Sequence, residues 1–191
     1  MGLGLRSTAI AWGGITRVFH WGMLAVFAAI IPLGWYMTEL PPGVHKLRLY
    51  ALHKSIGLTL LGLALLRLGW RACEHRPVLP PMPPWQARAA GTVHAVLYAL
   101  MFTIPLSGWL YNSAAGFPLR WFGLVNLPAL AASNPALKSL AHAIHHAAVW
   151  VLLALVALHA AAALKHHFAD RDRTLALMVP GLKAPRSGAG P

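Results

Sequence analysis

Long apolar runs, separated by short polar or proline-rich stretches, dominate the pattern of this chain. Four of them, at about 16–37, 50–70, 92–111 and 143–164, reach the roughly 20 residues a helix needs to cross about 30 Å of hydrocarbon. Between the second and third, 76–85 contains PVLPPMPPW and is expected to be a non-helical loop. The stretch 112–135 is polar and punctuated by Gly and Pro, too irregular to span. Ser133-Asn134-Pro135 reads as a helix start with Pro in the first turn, so the fourth helix is expected to begin well before its apolar part. The expected fold is all-α: an integral membrane four-helix bundle, one domain over residues 1–191.

Composition supports the membrane class. The chain is 58% hydrophobic and only 10% charged, against about 25% charged in an ordinary soluble domain. Mean hydropathy is +0.58. Sixteen Lys and Arg face four acids, for a net charge of +12. Such a balance can mark a nucleic-acid binder, but here the bases sit between apolar runs, which fits helix-end anchoring at a lipid surface and no nucleic-acid partner. Eight Trp, among them Trp21, Trp35, Trp70, Trp109 and Trp150, lie mostly near span ends, as an interfacial belt places them.

The bases also suggest an orientation. On one side fall Arg6, Arg17, Arg67, Arg71, Arg76, Arg88, Lys165, Arg171, Arg173, Lys183 and Arg186; on the other Lys46, Arg48, Lys54, Arg120 and Lys138. Eleven against five puts both termini, with tails 1–15 and 181–191, in the cytoplasm. The first fifteen residues lack a signal-peptide core, so the first span is expected to act as its own insertion signal. The single Cys73 excludes an intrachain disulfide and a Cys-based zinc site, and without C-x-x-C-H any haem is held non-covalently.

Eleven histidines carry the candidate chemistry. Histidine within a lipid-embedded helix is costly and usually functional. His145 and His159 lie fourteen residues apart in the last span, which returns them to within about 40° of one face, roughly 21 Å further along. His20 near the inner end of the first span matches the depth of His159, and His53 near the outer end of the second matches His145. Two imidazoles from facing helices are a standard axial pair for haem iron, so the pattern suggests two bis-histidine haems. For each residue taken singly, a hydrogen bond to a neighbouring carbonyl is the plainer reading. Zinc fits poorly, because the pairs are too far apart to close one tetrahedron.

His142 and His146 lie about 100° and 140° from His159 and miss its stripe. Arg67, fourteen residues after His53, has two readings, partner of a haem propionate or positive-inside anchor. His94, His166 and His167 sit at the cytoplasmic edge. His166 is within about 20° of the His159 face, so His94 and His166 are candidates for bonding a quinone beside the inner haem, against a solvated helix end. His45, His75, His142 and His146 read as surface residues.

TRVFHW, LHKSIG with the later LLRLGWR, GTVHAVLYALMFTIPLSGW, and H-x13-HAAAALKHHF together resemble the bacterial cytochrome b561 family, and more closely its superoxide oxidase branch, over about residues 17–180. The resemblance implies two b haems in the bacterial inner membrane, the inner held by His20 and His159 and the outer by His53 and His145, with His94 and His166 at a ubiquinone site. It implies a superoxide:ubiquinone oxidoreductase that oxidises superoxide to O2 at the periplasmic face and passes electrons through both haems to ubiquinone. Catalysis would then be haem-centred, with no catalytic side chain. Outer bases Lys46, Arg48, Lys54, Arg120 and Lys138 would steer the anion. The same histidines would serve a haem-carrying anchor subunit that shuttles electrons between quinone and a partner dehydrogenase or hydrogenase. A transporter or structural bundle without cofactor is the alternative of a different class.

Overall fold

A computed structural model describes residues 4–75, 77, 78 and 80–183. Arg76 and Arg186, counted in the charge balance, and the tail from 184 onward lie outside them. The fold is all-α, built on α1 (Gly14–Glu39), α2 (Val44–Ala72), α3 (Pro84–Ala114) and α4 (Pro135–Phe168), with a short α5 (Thr174–Met178). All four long helices are long and apolar enough to cross a membrane. At about 1.5 Å per residue, the 34 residues of α4 extend to about 51 Å, well beyond the hydrocarbon thickness.

Each helix continues past its apolar run, because polar residues at a membrane surface sustain helix as well as apolar ones do. Pro84 opens α3, so the expectation of a non-helical 76–85 is corrected at its end. Proline lacks an N–H that the first helical turn would leave unpaired anyway, and its fixed φ suits that turn. Pro135 opens α4 in the same way, with Asn134 Oδ1 accepting the Leu137 N–H at 3.0 Å as a cap.

The stretch 112–135, expected to be irregular, contains a hairpin of β1 (Leu119–Trp121) and β2 (Val125–Leu127), paired antiparallel with Arg120 opposite Asn126. Its turn has positive φ at Phe122 (46°) and Gly123 (74°), the pattern that matches strand twist. Ser55, buried in α2, holds that strained corner: its Oγ accepts the Phe122 N–H at 2.9 Å.

By contacts the chain forms two compact units. One comprises residues 1–21, 67–97 and 153–191. There Arg17, buried, donates from Nε to the Leu177 carbonyl at 3.1 Å, and Trp21 Nε1 donates to that of Met178 at 3.0 Å, tying α5 to the start of α1. Glu74 accepts from the Ser7 N–H and the Thr16 hydroxyl. Gly13 is required here, since a Cβ would stand 2.4 Å from the Arg6 backbone.

The other unit comprises residues 22–66 and 98–152. Its core is Met23, Ile30, Leu60, Ala64 and Met101, from α1, α2 and α3, with Phe27, Ile56 and Phe102 packed around it.

Candidate functional site: two histidine pairs

One predicted pair falls in each unit. In the first, the His20 and His159 rings have centroids 6.1 Å apart; in the second, His53 and His145 are 6.4 Å apart. An iron bound by two imidazole nitrogens at about 2.0 Å each separates the ring centroids by about 6.3 Å. Both pairs therefore already stand at an axial-ligand spacing. It is too wide for a direct hydrogen-bonded contact and leaves room for one metal atom; since His145 and His146, neighbours on α4, also stand 6.4 Å apart, the spacing carries weight only because each pair joins two different helices.

Around His53 and His145 the helices leave room for a flat group. Gly34 and Gly108 border the two rings: a Cβ at 34 would lie 3.0 Å from His53 Cε1, and one at 108 would lie 3.2 Å from His145 Cε1. Beside the pair is an apolar cavity of about 110 Å³, walled by Phe27, Ile31, Gly57, Leu60 and Val149, which leaves an opening next to both rings. The missing side chain at 108 lets His145 reach back to α3, where its Nδ1 lies 2.8 Å from the Ile104 carbonyl oxygen and 3.3 Å from Ser107 Oγ. A proton on Nδ1 donated to that carbonyl leaves Nε2 as the metal-binding nitrogen, the usual way a ligating histidine is oriented. His53 Nδ1 is buried without a hydrogen bond of normal geometry, the Ile30 carbonyl being beside it. These residues fit a b-type haem.

The other pair is set among charges. Arg67 Nη2 lies 3.4 Å from His20 Nδ1, and Nη1 lies 3.5 Å from the Phe19 carbonyl. A guanidinium can only donate, so in that contact Nδ1 of His20 is the acceptor. A neutral ring that binds iron through Nε2 carries its proton on Nδ1, so ligation and the Arg67 contact belong to different tautomers of His20 and Arg67 turns aside when the haem is bound. His94 packs edge-on against His159, centroids 5.3 Å apart. His166 turns to the carboxylates that follow α4: its Nδ1 is 2.8 Å from Asp172 Oδ2 and 3.1 Å from Asp170 Oδ2. Asp172 also accepts the Thr174 N–H at 2.7 Å. Burial raises the Asp172 pKa, but the hydrogen bonds from Thr174 and His166 outweigh it and hold the carboxyl below the usual 3.8. His166, Asp170 and Asp172 offer three donor atoms within 4.8 Å of one another, but Lys165 Nζ already sits 2.7 Å from Asp170.

The His142 and His146 rings lie 4.3 Å apart, with Tyr111 5.3 Å from His142; His146 also borders the cavity beside His53 and His145, its ring 6.4 Å from that of His145. Sequence reasoning missed Gly34, Gly108, the Ile104 carbonyl and the Asp172–His166 bond. The carbonyl that orients His145 lies on another helix, so only the carboxylates close behind His166 left a readable signal.

Spanning-length helices carrying imidazoles paired at a metal-bridging distance define a multi-pass membrane protein of the haem-binding kind. The family model for "Prokaryotic cytochrome b561" matches residues 11–181, and the chain belongs to that family, a family of b-type haem electron-transfer proteins. It is 35% identical to "Cytochrome b561 homolog 2" of Escherichia coli (strain K12) over 181 residues, 93% of this chain and 95% of that one. It is 31% identical to "Cytochrome b561 homolog 1" of the same organism, over 88% of this chain and 97% of that one. Identity to the "Probable superoxide oxidase CybB" of Yersinia pestis is 28%, over 84% and 91%.

Proposed function

We propose that this protein is a dihaem cytochrome of the bacterial inner membrane, with both termini cytoplasmic, that oxidises superoxide and reduces ubiquinone. The observation that carries the two-haem reading is the pair of centroid separations, 6.1 and 6.4 Å. His20 and His159 would hold one haem, His53 and His145 the other, and Arg67 a propionate of the first. Bound haem supplies one-electron chemistry that no side chain here can perform. Superoxide as donor is supported by the name of the Yersinia relative and by the five bases Lys46, Arg48, Lys54, Arg120 and Lys138 against Glu39 on one side of the spans, a field that draws an anion.

In the balanced reaction two superoxide anions lose one electron each and leave as two O2, while ubiquinone takes both electrons and two protons. His94 and His166 are the proposed quinone residues. With Asp172 ionised and the shared proton on His166 Nδ1, the Nε2 of that ring faces the other way as an acceptor or, once protonated, a donor. The test is stopped-flow mixing of oxidised, quinone-supplied protein with superoxide. Rapid haem reduction and quinol formation are expected; an anchor subunit for a partner dehydrogenase or hydrogenase would react slowly and copurify with that partner.

A further inference from the structure

We propose that His142 and His146 form a surface chelate for a divalent transition-metal ion, with Cu(II) the tightest-bound, separate from the axial histidines. The pair lies at positions i and i+4 of α4, the spacing that puts two imidazoles on one helix face, as in helical zinc sites. Their ring centroids are 4.3 Å apart with planes at 42°. Two nitrogens bound to one ion at about 2.0–2.1 Å lie about 3 Å apart, a separation that histidines at i and i+4 of one helix supply in helical zinc sites. Both residues are exposed, so water can complete the coordination sphere.

The pair sits at the edge of the fourth apolar run, His142 one residue before its start at 143 and His146 one turn further in, where it also borders the cavity beside His53 and His145. His142 is in the third turn of a helix about 51 Å long, before its most apolar part, and so falls toward the aqueous end. The neighbouring His145 is engaged elsewhere, with its Nδ1 on the Ile104 carbonyl and its ring facing His53. Tyr111 walls one side of His142, while Lys138, one turn earlier, is the nearby like charge the ion must tolerate. Neutral imidazole suits Cu, Ni and Zn, and the order of divalent affinities puts Cu(II) first.

The test is Cu(II) titration of the full-length, haem-loaded protein, followed by electron paramagnetic resonance. One equivalent with two-nitrogen coordination is expected. His142→Ala and His146→Ala should each weaken it by at least the about 10–100-fold that loss of a supporting group costs a metal site. His45→Ala should leave it unchanged, and an unaltered haem absorption band confirms that the variants fold. Failure of the wild type to take up one nitrogen-ligated equivalent overturns the proposal, as does equal binding by the His142→Ala/His146→Ala double variant.

Discussion

Gly34 lies against the imidazole of His53 so closely that a Cβ at that position would stand 3.0 Å from ring atom Cε1. Gly34→Ala can be absorbed by a shift of a few tenths of an ångström, and helix propensity gains about 1 kcal/mol. Gly34→Val cannot be absorbed so easily. Overpacking of about 1–3 kcal/mol will push the ring out of line. The expected outcome is loss of the haem assigned to His53 and His145 with the other retained, read from the reduced absorption spectrum and haem content. Two retained haems would show that the glycine is a packing detail.

Single histidine substitutions should sort into two sets. His53→Ala and His145→Ala remove one haem; His20→Ala and His159→Ala remove the other, each change leaving about one equivalent. Should His142→Ala deplete haem while His145→Ala does not, the ligand assignment on α4 is wrong.

Arg67→Gln removes a cation 3.4 Å from His20. A nearby positive charge favours the reduced iron, so the midpoint potential of the haem held by His20 should fall, by something on the order of 59 mV for each tenfold change in the one-electron equilibrium. Redox titration of the resolved haems checks this. If only insertion or topology changes, Arg67 is an anchor.

Asp172→Asn should slow quinone reduction while sparing both haem spectra, because the amide no longer fixes the proton on His166 Nδ1. Asp172→Glu should restore part of the rate. In the parent the Asp172 pKa is depressed, so the stability its ionised form contributes is present above 3.8 and lost as pH falls through the lowered value. The rate difference between parent and Asp172→Asn should therefore persist across mildly acidic pH. If His166→Ala slows quinone reduction and Asp172→Asn does not, the carboxylate has no positioning role.

Arg17→Ala deletes the buried hydrogen bond to Leu177. Hydrogen bonds from charged groups contribute about 1.5–3 kcal/mol, so α5 should exchange its amide protons markedly faster, while the α2 core around Leu60 stays protected. Unchanged exchange in 174–178 would show that Trp21 alone suffices to hold α5.

Helix number, approximate spans and the pairing of His20 with His159 and of His53 with His145 were legible in the sequence. Lipid imposes a length on apolar runs, and 100° per residue fixes which side chains share a face. Pro135 as a helix start was legible for the same local reason. The hairpin at 119–127 was not: its strands are three residues long, and the docking of Phe122 onto Ser55 joins residues 67 apart. Likewise only the packing of α3 against α4 decided that Gly108 and the Ile104 carbonyl orient His145, and that His146 borders the cavity beside it. Periodicity ranks positions around one helix, but which neighbour meets each face, and which backbone carbonyl a ring can reach, is settled by contacts between segments far apart in the chain.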